Sequence, residues 1–417
     1  MDLVLINSPI QKYSAEYRPA YRTSAPLGLG YLGSVAQNAG IETAIVDAEA
    51  EKLTLPELTE RVNNMNPRVV GINTTSTNYK ISLEIMEGIE APQKIVGGPH
   101  ATLRGQDFNP EGYLLVRGEA EDVFLDVIKG MYQGVVDAGT VGNLDRLPYI
   151  DRSLFVNDPY MVDGKLEATM NTSRGCPFTC VFCSVPAMNG RKIRTRSIDN
   201  VVSEIKLLQM QGVNSIHFMD DIINHDRKRL VRMCDTFVDK ELNVNWRGLA
   251  RVELLDDDLL AKMSQAGCYK LAFGIESGTP RILDYIGKCS DLDKVRSVFK
   301  RCRELGIDTK AFFTIGYPSE TEDEIRRTID FSMELNADEA YFMVVRAFPG
   351  TPLYDEMRRT GFSEEELGKY NQFQDEDGYV KYHVMNFRSL NGMPNDKLDG
   401  LVKEAYGRFY KREECCV

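Results

Sequence analysis

The 417-residue chain is poor in histidine, with four, and has a single tryptophan. It has no surplus of basic residues: 50 Lys and Arg against 62 Asp and Glu leave a formal charge of −12. A protein that tracks phosphates needs the opposite balance, so no nucleic-acid partner is expected. No stretch approaches the ~20 apolar residues that cross a bilayer, so no membrane is expected either. The opening MDLVLINSPI has neither the basic stretch nor the small-residue cleavage site of a signal peptide, and the expected location is cytoplasmic. Repeats and low-complexity segments are absent. Cysteine occurs nine times, at 176, 180, 183, 234, 268, 289, 302, 415 and 416. This odd, uneven set argues against a disulfide framework and suits a reducing compartment.

What is present is an ordinary globular balance, 43% hydrophobic and 27% charged, in a chain long enough for two or three domains. Short apolar runs at 3–9, 42–48, 68–75, 93–100 and 113–119 alternate with helical patterns at 28–40, 55–66, 81–90 and 120–132. That alternation predicts an α/β, doubly wound, Rossmann-like parallel sheet over 1–134. Ligands of such sheets sit at the carboxyl ends of the strands, here Asn73–Ser76, Gly97–His100 and Gly118–Glu119. A dinucleotide is a weak reading, because no G-x-G-x-x-G follows the first strand and GLG at 28–30 comes too late.

Residues 135–165 scatter Pro, Asp, Asn and Gly and read as a linker. From 166 to 354 a second alternating series makes six strand–helix steps, which predicts a partial (β/α)6 TIM-type barrel. Barrel chemistry belongs at the C-terminal ends of strands, where the cysteine cluster, Asp220–Asp221, Arg251, Glu276 and Gly316 fall. The remainder, 355–417, is a small mixed region with a helix near 395–411. Its aromatics Tyr370, Phe373, Tyr379, Tyr382, Phe387, Tyr406, Phe409 and Tyr410 are candidates to wall a substrate pocket or to pack a core.

Cys176, Cys180 and Cys183 supply three thiolates from one loop. Three soft ligands suit three irons of a cubane cluster and leave the fourth iron open. A zinc loop is the alternative, with His217 or His225 completing the set. Read singly, Asp220 and Asp221 are helix caps and GIESGTP a turn.

At these residues the chain resembles the radical S-adenosylmethionine (SAM) superfamily, whose signature is TSRGCPFTCVFCS (172–184). The resemblance implies a [4Fe–4S] cluster on the three cysteines. The open iron takes the amino and carboxylate groups of SAM, and one electron cleaves its C–S bond to give a 5′-deoxyadenosyl radical. Phe182 then lies near the adenine, Asp220 and Asp221 near the methionine amino group, and Arg251 at its carboxylate. Glu276 and Ser277 mark the ribose site, and Ile315–Gly316 the adenine strand. A one-electron donor such as flavodoxin or ferredoxin is implied as partner.

The front half resembles the cobalamin-binding domain that precedes the radical domain in one subgroup. The matching stretches are APLGLGYLGSVAQNAG (25–40), VGINTTSTNY (70–79), IVGGPHAT (95–102), VRGEAE (116–121), LDRLPYIDR (144–152) and FPGTPLY (348–354). The implied cobalamin contacts are Gly28, Thr74, Thr75, Ser76, Gly97, Gly98, His100, Gly118 and Glu119. Many such domains carry Asp-x-His-x-x-Gly, whose His ligates cobalt from below. Here the corresponding region reads VDAEAEKL (46–53), so binding without a protein histidine is implied. The activity implied is a C-methyltransferase: one SAM methylates cobalt, a second makes the radical, and methylcobalamin delivers the methyl to an sp3 carbon. A rearrangement, cyclisation or oxidation is the alternative. The substrate is a small molecule or a peptide or protein side chain; one family of similar layout methylates a glutamine of methyl-coenzyme M reductase.

Overall fold

LVLIN, TAIVD, VVGIN, QKIVG and LLVRG are short runs without alternation, as strands buried on both faces must be. They form β1 (Leu3–Asn7), β2 (Thr43–Asp47), β3 (Val69–Asn73), β4 (Gln93–Gly97) and β5 (Leu114–Gly118), and β6 (Val135–Gly139) follows. The six are parallel, in the order β2-β1-β3-β4-β5-β6. Val4, Ile6, Val70, Ile72 and Val96 pack one face against the helices Leu55–Asn64 and Tyr79–Gly88. Leu3, Leu5, Val69, Ile95 and Val116 pack the other against Leu27–Asn38 and Phe124–Ile128. The order reverses at β1, so the crevice of the doubly wound sheet opens past Asn7 and Asn73.

The structure is a computed structural model that describes residues 1–410 apart from 11, 14–23, 109–110, 157–159, 163–164, 289–290 and 369–387. Among these residues the chain divides into two compact units: 1–170 with 187–215, and 171–186 with 216–368 and 388–410. The stretch 1–170 ends in a short antiparallel pair, β7 (Met161–Val162) with β8 (Lys165–Met170). The two-residue strands β9 (Ser173–Arg174) and β10 (Arg194–Thr195) come next in the chain.

Residues 135–139 open the segment that reads as linker, yet they form β6. An edge strand buries little, and only Val136 of its five residues is buried, so it lacks an apolar run.

All six strands of the second series are present: β8, β11 (Ser215–Phe218), β12 (Asn245–Ala250), β13 (Cys268–Glu276), β14 (Asp308–Ile315) and β15 (Glu339–Val344). In the second unit the order is β15-β14-β13-β12-β11, with β12 to β15 in parallel register. Helices Arg227–Asp239, Asp257–Gln265, Leu292–Glu304 and Glu322–Leu335 connect them. Each starts where its cap lies: Asp226, Asp256, Asp291 and Thr321 accept from the backbone N–H three residues on. GIESGTP (274–280) spans the end of β13, a short connection and the first residue of a further helix, Pro280–Ile286.

The C-terminal helix Asn395–Tyr410 packs on β15, the edge of the sheet. The Tyr406 hydroxyl accepts the Phe342 N–H at 3.1 Å. The Tyr410 hydroxyl accepts the Ala340 N–H at 3.2 Å and donates to its carbonyl at 2.9 Å. These tyrosines cover the polar groups of an open edge, and Phe409 is a core residue, so all three serve packing. Tyr370, Phe373, Tyr379, Tyr382 and Phe387 lie outside the described residues.

Candidate functional site

The cysteine loop follows β9 and is anchored from both sides. Asp220, past the end of β11 and 3% exposed, accepts three hydrogen bonds at 2.6 Å: from Thr172 N, Thr172 Oγ1 and Ser173 Oγ. Asp221 Oδ2 accepts from Gly175 N at 2.8 Å, directly before Cys176. Beyond the cysteines, Val181 N donates to Ile286 O at 3.1 Å and Leu353 N to Val181 O at 2.9 Å. Val181 and Phe182 rest on a buried cluster that includes Ile282, Ile286, Tyr317 and Leu353.

Cys176 and Cys180 are buried and Cys183 is half-buried. Burial pushes the Cys176 thiol up, and the Cys183 thiol up to about 11. Arg251, past the end of β12, places Nη1 3.4 Å from Cys180 Sγ and its guanidinium 3.8 Å from the Phe178 ring centroid. Its Nε donates to Glu253 at 2.5 Å. Cys234, Cys268 and Cys302 are buried core residues, and burial raises their thiols. Cys289, Cys415 and Cys416 lie outside the described residues. Among the described residues no three His, Cys, Asp or Glu side chains are placed to hold a single metal ion. A cubane takes its thiolates on different irons, so its ligands need not converge on one point.

The end of β13 carries a bulge: Gly274 pairs with Phe312 and Glu276 with Phe313, leaving Ile275 as the extra residue. Glu276 adopts φ +68°, and the bulge re-aims its carboxylate. Oε1 accepts from Lys288 Nζ at 2.9 Å and Oε2 from Thr314 Oγ1 at 2.8 Å. Ser277 turns away, its hydroxyl 3.1 Å from that of Thr328. Ile315 is buried, and Gly316 follows at φ +86°. Glu320 Oε2 accepts from Gly316 N at 2.5 Å and Tyr317 N at 3.0 Å. Burial pushes its carboxyl up to about 7 despite those two donors. The rings of Phe182 and Tyr317 lie 6.0 Å apart.

In the first unit the expected strand-end residues are tied to one another. Thr74 Oγ1 donates to Gly97 O at 2.7 Å, and Asn78 Oδ1 accepts from Thr75 N at 2.7 Å. Gly98, at φ +98°, has no room for a Cβ, which would stand 2.2 Å from Asn73 Oδ1. One on Gly118 would stand 2.4 Å from Gly139 O. The chain's own backbone therefore requires both glycines, whereas the Cβ position of Gly28 is open. His100 is fully buried: Nδ1 is 3.1 Å from Ser76 Oγ, Nε2 3.1 Å from Asp107 Oδ2, and its ring is stacked on Tyr79. Burial pulls its pKa down to about 4, overriding Asp107. Both ring nitrogens of His100 are thus engaged within the first unit. Glu119 takes a two-pronged ion pair from Arg194 at 2.6 and 2.7 Å and accepts from Val141 N.

Comparison with known proteins follows this division. Residues 170–332 match the radical SAM superfamily model and residues 19–128 the B12 binding domain model. The chain is a radical SAM enzyme with a B12-binding domain. Its cofactors are a [4Fe–4S] cluster, SAM and cobalamin. It is 29% identical to an uncharacterized methyltransferase of Pyrococcus horikoshii, over 100% of this chain and 94% of that one. Its fold is shared with TsrM of Kitasatospora setae, a radical SAM methyltransferase solved with cobalamin and a [4Fe–4S] cluster (TM-score 0.67, 19% identity, 86% of this chain and 78% of that one). It is shared too with the cobalamin-dependent SAM radical enzyme OxsB (TM-score 0.72, 15% identity, 99% and 68%). Among the described residues no helix is long and apolar enough to cross a membrane.

Within the radical SAM unit the fold brings the cysteine loop, Arg251, Glu276 and the Gly316 turn to one end of the strands. It also adds Lys288, Thr314, Tyr317 and Glu320. Thr314, Tyr317 and Glu320 lie in FTIGYPSET (313–321), the stretch that resembles the adenine strand and loop, and Lys288 lies in no such motif; only their contacts single these four out. The donor sets fit the groups they would hold: three thiols with a guanidinium beside one of them, and a carboxylate fixed at a bulge.

Proposed function

We propose that this B12-binding radical SAM enzyme transfers a methyl group from SAM to an unactivated sp3 carbon of a small molecule or a peptide side chain. The observation that carries the reading is the cysteine loop with Arg251 at Cys180, in one chain with a B12-binding domain. The methyltransferase names of the Pyrococcus relative and of TsrM support it.

Cys176, Cys180 and Cys183 would hold the cluster. When bound, the cluster and the corrinoid supply one-electron cleavage of the sulfonium and carriage of the methyl group. Arg251 presents its guanidinium to the carboxylate of SAM, and Glu276 accepts from the ribose hydroxyls. Phe182 and the Gly316–Tyr317 backbone border the adenine. Asp220 and Asp221 act on the loop rather than on the amino group, because their carboxylates are committed to Thr172, Ser173 and Gly175. The corrinoid would lie at the carboxyl ends of the first sheet, against the open Gly28, Gly97 and the Thr75–Ser76 turn. Thr74, Gly98, His100, Gly118 and Glu119 shape those ends from behind. A flavodoxin or ferredoxin would supply the electron.

The test is anaerobic turnover with methyl-deuterated SAM, reductant and a soluble extract as the source of acceptor. Each labelled methyl that appears in a product should accompany one 5′-deoxyadenosine and one S-adenosylhomocysteine. Deoxyadenosine formed with no homocysteine product and no labelled acceptor would replace methyl transfer by rearrangement or oxidation.

A further inference from the structure

Lys288 stands just past the helix Pro280–Ile286, after Gly287 in the left-handed region at φ +72°. Its side chain is only 14% exposed. The ammonium donates to Gly274 O at 2.6 Å and to Glu276 Oε1 at 2.9 Å. Three features show that the strand end is built around this pair. A Cβ on Gly274 would stand 2.5 Å from both Lys288 Nζ and Glu276 Oε1, so the glycine clears the space they occupy. Glu276 sits at φ +68°, a conformation that costs a side-chain-bearing residue energy and needs its surroundings to hold it. The turn that carries Lys288 is itself fixed to the cysteine loop: Val181 N donates to Ile286 O, and a Cβ on Gly287 would stand 3.3 Å from Thr179 O.

We infer that Lys288 is a positioning residue that holds the Glu276 carboxylate toward the ribose hydroxyls of SAM; this rests on the proposed ribose contact of Glu276. Lys288 and Thr314 each take one direction on one carboxylate oxygen. A carboxylate offers about four acceptor directions, so each oxygen keeps one for a hydroxyl donor. At 8% side-chain exposure Glu276 has little water to compensate its charge, and the ammonium does that. Lysine suits the place because its stem spans the space above Gly274 and its head is a compact charge that also reaches the Gly274 carbonyl.

The test uses cluster-reconstituted full chain and measures equilibrium binding of S-adenosylhomocysteine and of its 2′,3′-dideoxy counterpart. Lys288→Met keeps the apolar stem and removes the charge. It should weaken binding of S-adenosylhomocysteine about ten- to a hundredfold, the range for hydrogen bonds to charged groups. It should change binding of the dideoxy ligand less than about twofold, with iron content and thermal midpoint retained. Lys288→Arg should recover most of the loss. Glu276→Gln is measured alongside. If Glu276→Gln removes ribose discrimination and Lys288→Met does not, the positioning role is wrong and the ribose contact stands. Equal weakening of both ligands by Lys288→Met also overturns it, since the lysine would then act through the fold. If neither variant alters discrimination, the ribose contact fails and the inference falls with it.

Discussion

Asp220→Asn separates two accounts of the same residue. The family resemblance places Asp220 near the amino group of SAM, whereas the structure commits it to the strand that leads into the cysteine loop. Oδ1 takes Thr172 N; Oδ2 takes the hydroxyls of Thr172 and Ser173, all at 2.6 Å. In asparagine the oxygen keeps the backbone N–H, and the amide nitrogen meets two hydroxyls that must rotate to accept. Three charge-assisted bonds become neutral ones, a loss of roughly 0.7–1 kcal/mol each, or about 2–3 kcal/mol in all. The equilibrium that keeps residues 172–183 ordered then shifts by roughly 30- to 160-fold. After anaerobic reconstitution Asp220→Asn should hold less iron per chain, and its 172–183 amides should exchange hydrogen faster. The opposite pattern would refute the structural account: full iron and unchanged exchange with weaker SAM binding alone.

Further outcomes follow from other residues. His100 is held at about 4 in the folded chain against 6.5 unfolded. Folding therefore excludes a proton that the unfolded chain accepts: the stabilisation is complete above pH 6.5 and is lost as pH falls toward 4, up to about 3 kcal/mol. The stability difference between wild type and His100→Gln should shrink across that window in denaturant titrations, and parallel curves would count against it. Electron paramagnetic resonance of the Co(II) form should show no nitrogen splitting from a protein histidine, in wild type or in His100→Ala; a splitting that the substitution abolishes would make His100 the ligand. Tyr406→Phe and Tyr410→Phe each strip a partner from an edge N–H of β15, at a cost of about 1–3 kcal/mol. Exchange at Phe342 and Ala340 should rise while iron content stays constant, and a loss of iron would tie these tyrosines to the site instead.

The sequence alone determined what depends on local pattern. Uniformly apolar runs between helical patterns gave the first alternating series, because a parallel strand covered on both faces must be apolar throughout; the strands of the second alternate buried with more exposed residues and carry Arg247, Lys270 and Lys310. Helices start beside Asp226, Asp256, Asp291 and Thr321, because a cap is chemistry between neighbours three residues apart. The three cysteines were legible for the same reason: all the ligands lie on one loop. Tertiary structure alone decided what each motif residue does once neighbours distant in sequence arrive. It turned Asp220 toward Thr172, paired Glu119 with Arg194 across 75 positions and closed Ser76 and Asp107 around His100. It assigned Gly98 and Gly118 to the chain's own backbone. It set Lys288 against Glu276 through a bulge in β13 that no residue type announces, and it drew β6 into the sheet although that strand buries one residue. A polar side chain reads the same in sequence whether it faces a ligand or a buried partner. Only the fold shows which donor lies within 3 Å.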